Sequence, residues 1–233
     1  MSALDSAART ASYAGGQILR AATGMIAARP AAKPLHPRGS VVHGTLHRLG
    51  SEDRTGALWL DQSGDDQVLV RHSRATGLPS PIPDIYGLAI RVPTDGGRRG
   101  DLLFASTGLG RLTRFTLTPA TSPHRRPMTT LLPYRTPAGA LLLSAVFQAD
   151  SKVELAWAIR SGAWNTFAEL SLDDDPADAG DLLVSFDPVR NVLPGLETYE
   201  WVRRLREPAY ATARRSRRSW MTDQAPRGQD HLP

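Results

Sequence analysis

Residues 140–172 read ALLLSAVFQADSKVELAWAIRSGAWNTFAELSL, and they set the expected fold class. Apolar side chains fill three short runs here, Ala140–Gln148, Val153–Ile159 and Phe167–Leu172, with polar turn residues between them. Ser161-Gly162 suits the tip of a hairpin that joins the second run to the third. The stretch therefore predicts consecutive antiparallel strands.

The same kind of run recurs along most of the chain, with Gly and Pro turns at intervals of about 8–15 residues. The further predicted strands are Val41–Leu49, Ala57–Leu60, Gln67–His72, Tyr86–Val92, Asp101–Ser106, Arg114–Thr118 and Leu182–Phe186. Many short strands at this spacing are typical of an antiparallel barrel or sandwich. The sequence thus predicts a mainly β protein of the α+β class.

Helices are expected only toward the two ends of the chain. An N-terminal helix is predicted to stop at Arg29-Pro30, and an extended arm with three prolines follows over residues 30–38. The segment from Thr198 to about Arg218 has a helical pattern, and Pro208 suits the first turn of a second helical piece. We therefore expect a helix over 1–29, one barrel domain over 30–218 and a disordered tail over 219–233.

Composition narrows the classes of function. The 233 residues are 41% hydrophobic and 22% charged, as in ordinary globular proteins. The absence of cysteine excludes disulfides, zinc–thiolate sites and iron–sulfur clusters, and it fits a cytoplasmic protein. No segment is apolar enough to span a bilayer. The net charge is +5 and the pI about 10.1, but no nucleic-acid-binding motif accompanies the arginines, so a small anionic partner is favoured over nucleic acid.

A tyrosine near the C-terminus carries the first functional hypothesis. Arg206 and Tyr210 stand four residues apart, which is one helical turn, and further arginines follow them. A phenol binds iron only as the phenolate, although its free pKa is about 10, and a guanidinium one turn away lowers that pKa. The pair is a candidate metal-binding group, and the alternative is a solvated pair on a surface helix.

Four stretches lie in a recognisable order, three before this pair and one around it. Lys33–Gly39 places a basic residue three positions before a histidine and ends in glycine, and Leu69–Ser73 ends in Arg-His-Ser. Pro83–Val92 carries Asp-x-x-Gly-hydrophobic-Ala-hydrophobic-basic, and Phe186–Arg217 begins Phe-Asp-Pro-x-x-Asn-x-x-Pro-Gly. In this order the motifs resemble those of the haem catalase superfamily, including its smaller members, over residues 33–218.

The resemblance implies a catalase-like antiparallel barrel with haem as cofactor. Tyr210 would be the proximal iron ligand, as tyrosine is in catalases, and Arg206 would neutralise its phenolate. His36 would be the distal acid–base group, oriented by a hydrogen bond with Ser73. The charged partners of the haem propionates would be Lys33, Arg71 and Arg217. The implied activity is that of a peroxidase or a weak catalase, with a hydroperoxide as substrate.

The sequence also departs from the family pattern. No asparagine stands in the segment after Val92, where the peroxide-disproportionating members have one, and Lys33 stands where the family has arginine. Two alternatives stay open: a haem-free barrel of the same kind that binds a small apolar ligand without catalysis, and a phosphoesterase-type hydrolase whose arginines hold phosphate. The resemblance further implies exchange of the N-terminal helix between subunits, and thus a homo-oligomer.

Overall fold

Ten strands dominate the part of the chain that the structure describes. The structure is a computed structural model, and it describes residues 38–77, 81–173, 184–207 and 210. The strands are β1 (Arg38–Leu49), β2 (Ser63–Arg74), β3 (Tyr86–Thr94), β4 (Arg98–Ser106), β5 (Met128–Thr129), β6 (Tyr134–Thr136), β7 (Gly139–Ala149), β8 (Lys152–Ile159), β9 (Asn165–Leu172) and β10 (Glu197–Thr198). A short helix, α1, spans Leu58–Asp61, and residues 200–207 are helical as well.

Eight of these strands close into an antiparallel barrel. They pair in the order β7-β5-β4-β3-β2-β1-β9-β8, and β8 pairs again with β7 to complete the ring. The short strands β6 and β10 extend the sheet from β7, because β5 and β6 use successive parts of the same edge of that strand. The predicted mainly β fold with an antiparallel barrel is confirmed.

The barrel is filled by the inward side chains of its strands. Alternate positions of each strand contribute to one apolar core, as the two-residue period of a strand requires. The fully buried members with the largest side chains include Phe167, Leu46, Leu88, Ile90 and Leu170. Because the interior is a packed core, ligand chemistry must be sought on the outer faces and at the ends.

Two predicted strands are wrong. In both places hydrogen bonds between a side chain and the backbone fix a different conformation. At 57–60 the chain forms α1, because the Asp61 carboxylate accepts hydrogen bonds from the Thr55 amide at 2.8 Å and the Gly56 amide at 2.9 Å. At 114–118 a single 3₁₀ turn replaces the strand. There Arg114 is buried and donates to the carbonyls of Leu109 and Gly162, each at 3.1 Å, which ties the loop to the β8–β9 hairpin.

Several predictions fall outside the described residues. These are the N-terminal helix, the arm, the tail and most of the second C-terminal helical piece. The predicted strand over 182–186 is described only from residue 184 onward, and that part is not a strand. Within the described ranges, no helix has the length and apolar character needed to cross a membrane.

Candidate functional site

The outer face of β1–β4 carries the first two predicted site residues. Val70, Ile90 and Leu102 point into the core, so their neighbours along the strands point outward. Arg71 is one of these, and it lies in a cross-strand row with Val41, Ala89 and Leu103. Arg71 is only 8% exposed although it faces away from the barrel interior.

The next row on the same face is made of small residues. Gly39, Ser73, Gly87 and Ala105 are successive cross-strand partners from β1 to β4. Rows two residues apart on a strand are separated by roughly 7 Å. We call these two rows together the platform. Its second row is low and runs beside Arg71 of the first row, so a flat ligand on the second row would lie close to the backbone.

The glycine of the first sequence motif has a packing role on this platform. A Cβ built at Gly39 would lie 2.7 Å from Nη2 of Arg71 and closer still to the carbonyl oxygen of His72. Heavy atoms do not approach so closely, so a larger residue would displace the guanidinium or the strand. Glycine at position 39 therefore makes room for the buried Arg71.

Ser73 is bonded to the barrel itself. Its hydroxyl donates to the carbonyl oxygen of Gly87 on the neighbouring strand at 3.4 Å, which is a long hydrogen bond. The predicted partner of this hydroxyl, His36, lies outside the described residues, as do Lys33 and Arg217. Their roles stay predictions.

The segment that leads to Tyr210 is anchored on a buried carboxylate. Asp101 of β4 accepts two hydrogen bonds from Arg91, at 2.7 and 2.9 Å, in a bidentate ion pair. The same carboxylate accepts from the Asp187 amide at 2.7 Å and from the side chain of Asn191 at 2.6 Å. The Asp101 amide in turn donates to the Asn191 carbonyl at 2.9 Å. The Phe-Asp-Pro motif is thus a clip that fastens the C-terminal segment to β3 and β4.

Apolar contacts complete this clip. The Arg91 guanidinium lies 4.7 Å from the centre of the Phe186 ring, and Leu193 is buried against Gly100 of β4. Gly195 has a φ of +83°, and a Cβ at this position would come within 2.7 Å of the Ala57 backbone, so glycine is required here. These contacts fix the position of the chain just before the helix that begins at residue 200.

Arg206 and Tyr210 emerge from this anchored segment. Arg206 is half-buried, and its Nη2 donates to the carbonyl oxygen of Thr130, just after β5, at 3.3 Å. The pKa of the Tyr210 phenol is raised to about 12. Burial is the main cause, the charges of Asp187, Tyr134 and Asp101 act in the same direction, and Arg206 acts against them. Arg206 therefore acts in the predicted direction, but burial and the carboxylates outweigh it in the protein alone.

Sequence reasoning did not find Tyr134, which belongs to the same cluster. It lies on β6, is 4% exposed, and interacts with both Arg206 and Tyr210. The spacing between Tyr134 and the C-terminal motif in the sequence does not indicate this, because the two segments are brought together by the pairing of β6 with β10. The sequence analysis also placed Asp101 and Arg91 in strands without giving either a role in the site. Arg91 is the basic residue of the third motif, so that motif did point to it.

A polar cleft of about 610 Å³ lies elsewhere, where β1 ends. Leu49, Glu52, Asp53 and Asn165 are among the residues that line it. The platform uses the first residues of β1, so the cleft is at the other end of that strand and shares no residue with the predicted site.

Comparisons with known proteins bear on the fold. No family model matches the sequence, and no curated protein matches it significantly. A solved structure of a bacterial catalase is similar in three dimensions, with a TM-score of 0.54 and 13% sequence identity over 78% of this chain. The chain spans 56% of the length of that catalase structure. At this identity the likeness concerns the fold, and the chain has a catalase-like β-barrel.

Proposed function

We propose that this protein binds haem on the outer platform of the barrel, with Tyr210 as the axial ligand, and reacts with hydroperoxides. The observation that supports the proposal best is the anchoring of the C-terminal segment on Asp101. This anchoring fixes the segment that carries Arg206 and the half-buried Tyr210 against the side of a catalase-like barrel. A pair on a free surface helix would need no such anchor.

The residues present fit a haem group. A porphyrin is flat and apolar with two carboxylates at one edge, and the platform offers small side chains beside the buried cation Arg71. A phenol is the only type of side chain other than histidine, cysteine and methionine that commonly holds haem iron, and this chain has no cysteine. Arg71 would pair with a propionate, and Lys33 and Arg217 are proposed as its companions.

Bound haem would supply the iron that is oxidised by a hydroperoxide. The chain's own residues have separate tasks. Arg206 favours the anionic form of Tyr210, and Ser73 is proposed to turn from the Gly87 carbonyl toward His36. His36 is proposed to move a proton between the two oxygens of the substrate, which its pKa range permits near neutral pH.

Absorption spectroscopy of the protein titrated with haemin tests the proposal. We expect a saturable Soret band and a phenolate-to-iron charge-transfer band, and we expect Tyr210→Phe to lose the second band. Tyr199→Phe is the matched control, since that ring is stacked on Trp201 with centroids 6.4 Å apart. Haemin that binds without any change in Tyr210→Phe would remove the ligand assignment, and haemin that does not bind would remove the function.

One observation favours the second candidate, a haem-free barrel with a small apolar ligand. A phenol whose pKa is raised to about 12 stays neutral in the protein alone, which suits an uncharged occupant. Native mass spectrometry of protein from haem-supplemented cells separates the two proposals. A retained mass equal to haem supports the first, and a different retained mass supports the second.

A further inference from the structure

The loop after β4 exposes two large apolar side chains. A single 3₁₀ turn spans Thr113–Phe115, and Leu112 stands directly before it. Leu112 is 79% exposed and Phe115 is 43% exposed. The Phe115 amide donates to the Leu112 carbonyl at 3.2 Å, and side chains three residues apart in such a turn lie on the same side of it. The two side chains therefore form one small apolar patch that faces solvent.

The backbone beneath this patch is held by two other parts of the barrel. The buried Arg114 guanidinium donates to the Arg160 carbonyl at 3.3 Å and lies 4.5 Å from the centre of the Trp164 ring. The indole nitrogen of Trp164 donates to the Leu109 carbonyl at 2.9 Å. On the other side, the Thr129 hydroxyl donates to the Arg114 carbonyl at 2.6 Å. Because these contacts fix the turn, the exposure of the patch is a built feature of the fold.

The charges around the patch have one sign. Residues 102–149 include five arginines and no aspartate or glutamate. Arg111 directly precedes Leu112, and Arg160 directly follows β8, where its carbonyl is bonded to the turn through Arg114. Both Arg111 and Arg160 are exposed, and neither forms an ion pair within the part of the chain that the structure describes. The patch is thus flanked by cations that no carboxylate compensates.

This combination fits one class of partner. Apolar side chains that are exposed singly are ordinary on protein surfaces, but here two share one fixed turn beside uncompensated cations. A stable protein interface buries roughly 800 Å² on each partner, which two side chains do not supply. The phosphate backbone of a nucleic acid attracts arginine but presents no apolar surface to a leucine. The surface of an anionic bilayer accepts both, since it has phosphates outside and hydrocarbon beneath them.

We propose that the turn at 112–115 docks this protein on an anionic lipid membrane. Leu112 and Phe115 enter the layer between headgroups and acyl chains, and Arg111 and Arg160 contact lipid phosphates. Attachment is expected to be reversible, because two apolar side chains and a few cations give only weak anchoring. The inference goes beyond the proposed function and does not depend on haem.

Flotation of the whole chain with lipid vesicles is the first test. We expect binding to vesicles of phosphatidylcholine with phosphatidylserine, and far less binding to phosphatidylcholine alone. Leu112→Ser should weaken the binding roughly tenfold, and Arg111→Gln about fivefold. The matched controls are Leu58→Ser, at a leucine that is 63% exposed on α1, and Arg54→Gln, at an exposed arginine just before α1. Both controls should bind as the wild type does.

The differences between these variants decide the inference, since the arginines near the C-terminus can attract the same vesicles. Equal binding by wild type, Leu112→Ser and Arg111→Gln would overturn it, and so would a wild type that does not bind. Binding to a DNA duplex that is weakened by Arg111→Gln and unchanged by Leu112→Ser, with no binding to vesicles, would assign the turn to nucleic acid instead.

The absence of cysteine permits a second test at single positions. A polarity-sensitive fluorophore on Leu112→Cys should shift its emission to shorter wavelength when anionic vesicles are added, and the same fluorophore on Leu58→Cys should not. Because both side chains are exposed, the urea midpoints should stay at the wild-type value, which separates a lost signal from unfolding. Vesicle binding without a shift at position 112 would show attraction by charge alone and would overturn the docking of the turn.

Discussion

Replacement of Asp101 by asparagine should loosen the whole C-terminal clip. The carboxylate is fully buried as a side chain and accepts hydrogen bonds from Arg91, from the Asp187 amide and from the Asn191 side chain. Asparagine has nearly the same shape but carries no charge and can offer only one oxygen as an acceptor. The change therefore leaves Arg91 with its buried charge uncompensated.

The size of the effect follows from that uncompensated charge. Removing one partner of a buried ion pair costs about 3–5 kcal/mol, because the remaining ion keeps its desolvation penalty. The side chain of Arg91 is 15% exposed, so water recovers part of this and the lower end, about 3 kcal/mol, is expected. Since the free energy of unfolding of a domain is roughly 5–15 kcal/mol, this loss should shift the midpoint of urea unfolding markedly.

Urea denaturation of Asp101→Asn and of Asp65→Asn gives a matched comparison. Asp65 also contacts a basic group, His47 at 2.6 Å, but its side chain is 64% exposed, so an effect below about 1 kcal/mol is expected there. The double variant Arg91→Met with Asp101→Leu should recover only the part of the loss that comes from the unpaired charge of Arg91. The Asp187 amide and the Asn191 side chain stay without their acceptor in that variant. If Asp101→Asn costs no more than Asp65→Asn, the clip does not depend on this carboxylate and the argument fails.

Two further changes test other parts of the structure. Gly39→Ala should destabilise the protein by about 1–3 kcal/mol in thermal or urea unfolding, because its Cβ would collide with Arg71, and Gly39→Ala at wild-type stability would refute the packing described for the platform. The second concerns alkaline pH: the folded-state pKa of Tyr210 is raised to about 12 against an unfolded value of about 10, so its contribution to stability is complete below pH ~10 and is lost as pH rises to about 12. Unfolding free energies measured across that range should therefore fall less steeply in Tyr210→Phe than in wild type, and equal slopes would contradict the burial of the phenol.

Strands were predictable where one periodic pattern governs the whole run. In β7–β9 apolar side chains recur along each run, and the predicted and observed bounds agree within three residues. The pattern fails where one polar side chain decides the backbone. Hydrogen bonds of Asp61 fix the helix near residues 57–60, and hydrogen bonds of Arg114 fix the loop at 114–118. An aspartate or an arginine is equally common beside an ordinary strand, so neither residue indicates these bonds in the sequence.

The residues of the candidate site could be predicted only in part, for a different reason. Arg71, Ser73, Arg206 and Tyr210 belong to motifs that can be recognised along the chain. Asp101 and Tyr134 act through contacts with residues far away in sequence, and the hydrogen bond from Asn191 to Asp101 spans 90 positions. Such partners are brought together by the barrel closure and by the β6–β10 pairing, which local patterns do not specify.

Burial is the main reason why the Tyr210 phenol is neutral in the protein alone, and the charges around it modify its pKa further. Two carboxylates, Asp101 and Asp187, raise its pKa, and Arg206 lowers it. The positive charge of Arg91 is already committed to Asp101 through two hydrogen bonds. With Asp187 and Arg206 counted as well, the two negative and two positive charges of this cluster sum to zero before the phenol ionises. A phenolate at this position therefore adds a net negative charge at a buried place, and the proposed haem iron would offset that charge.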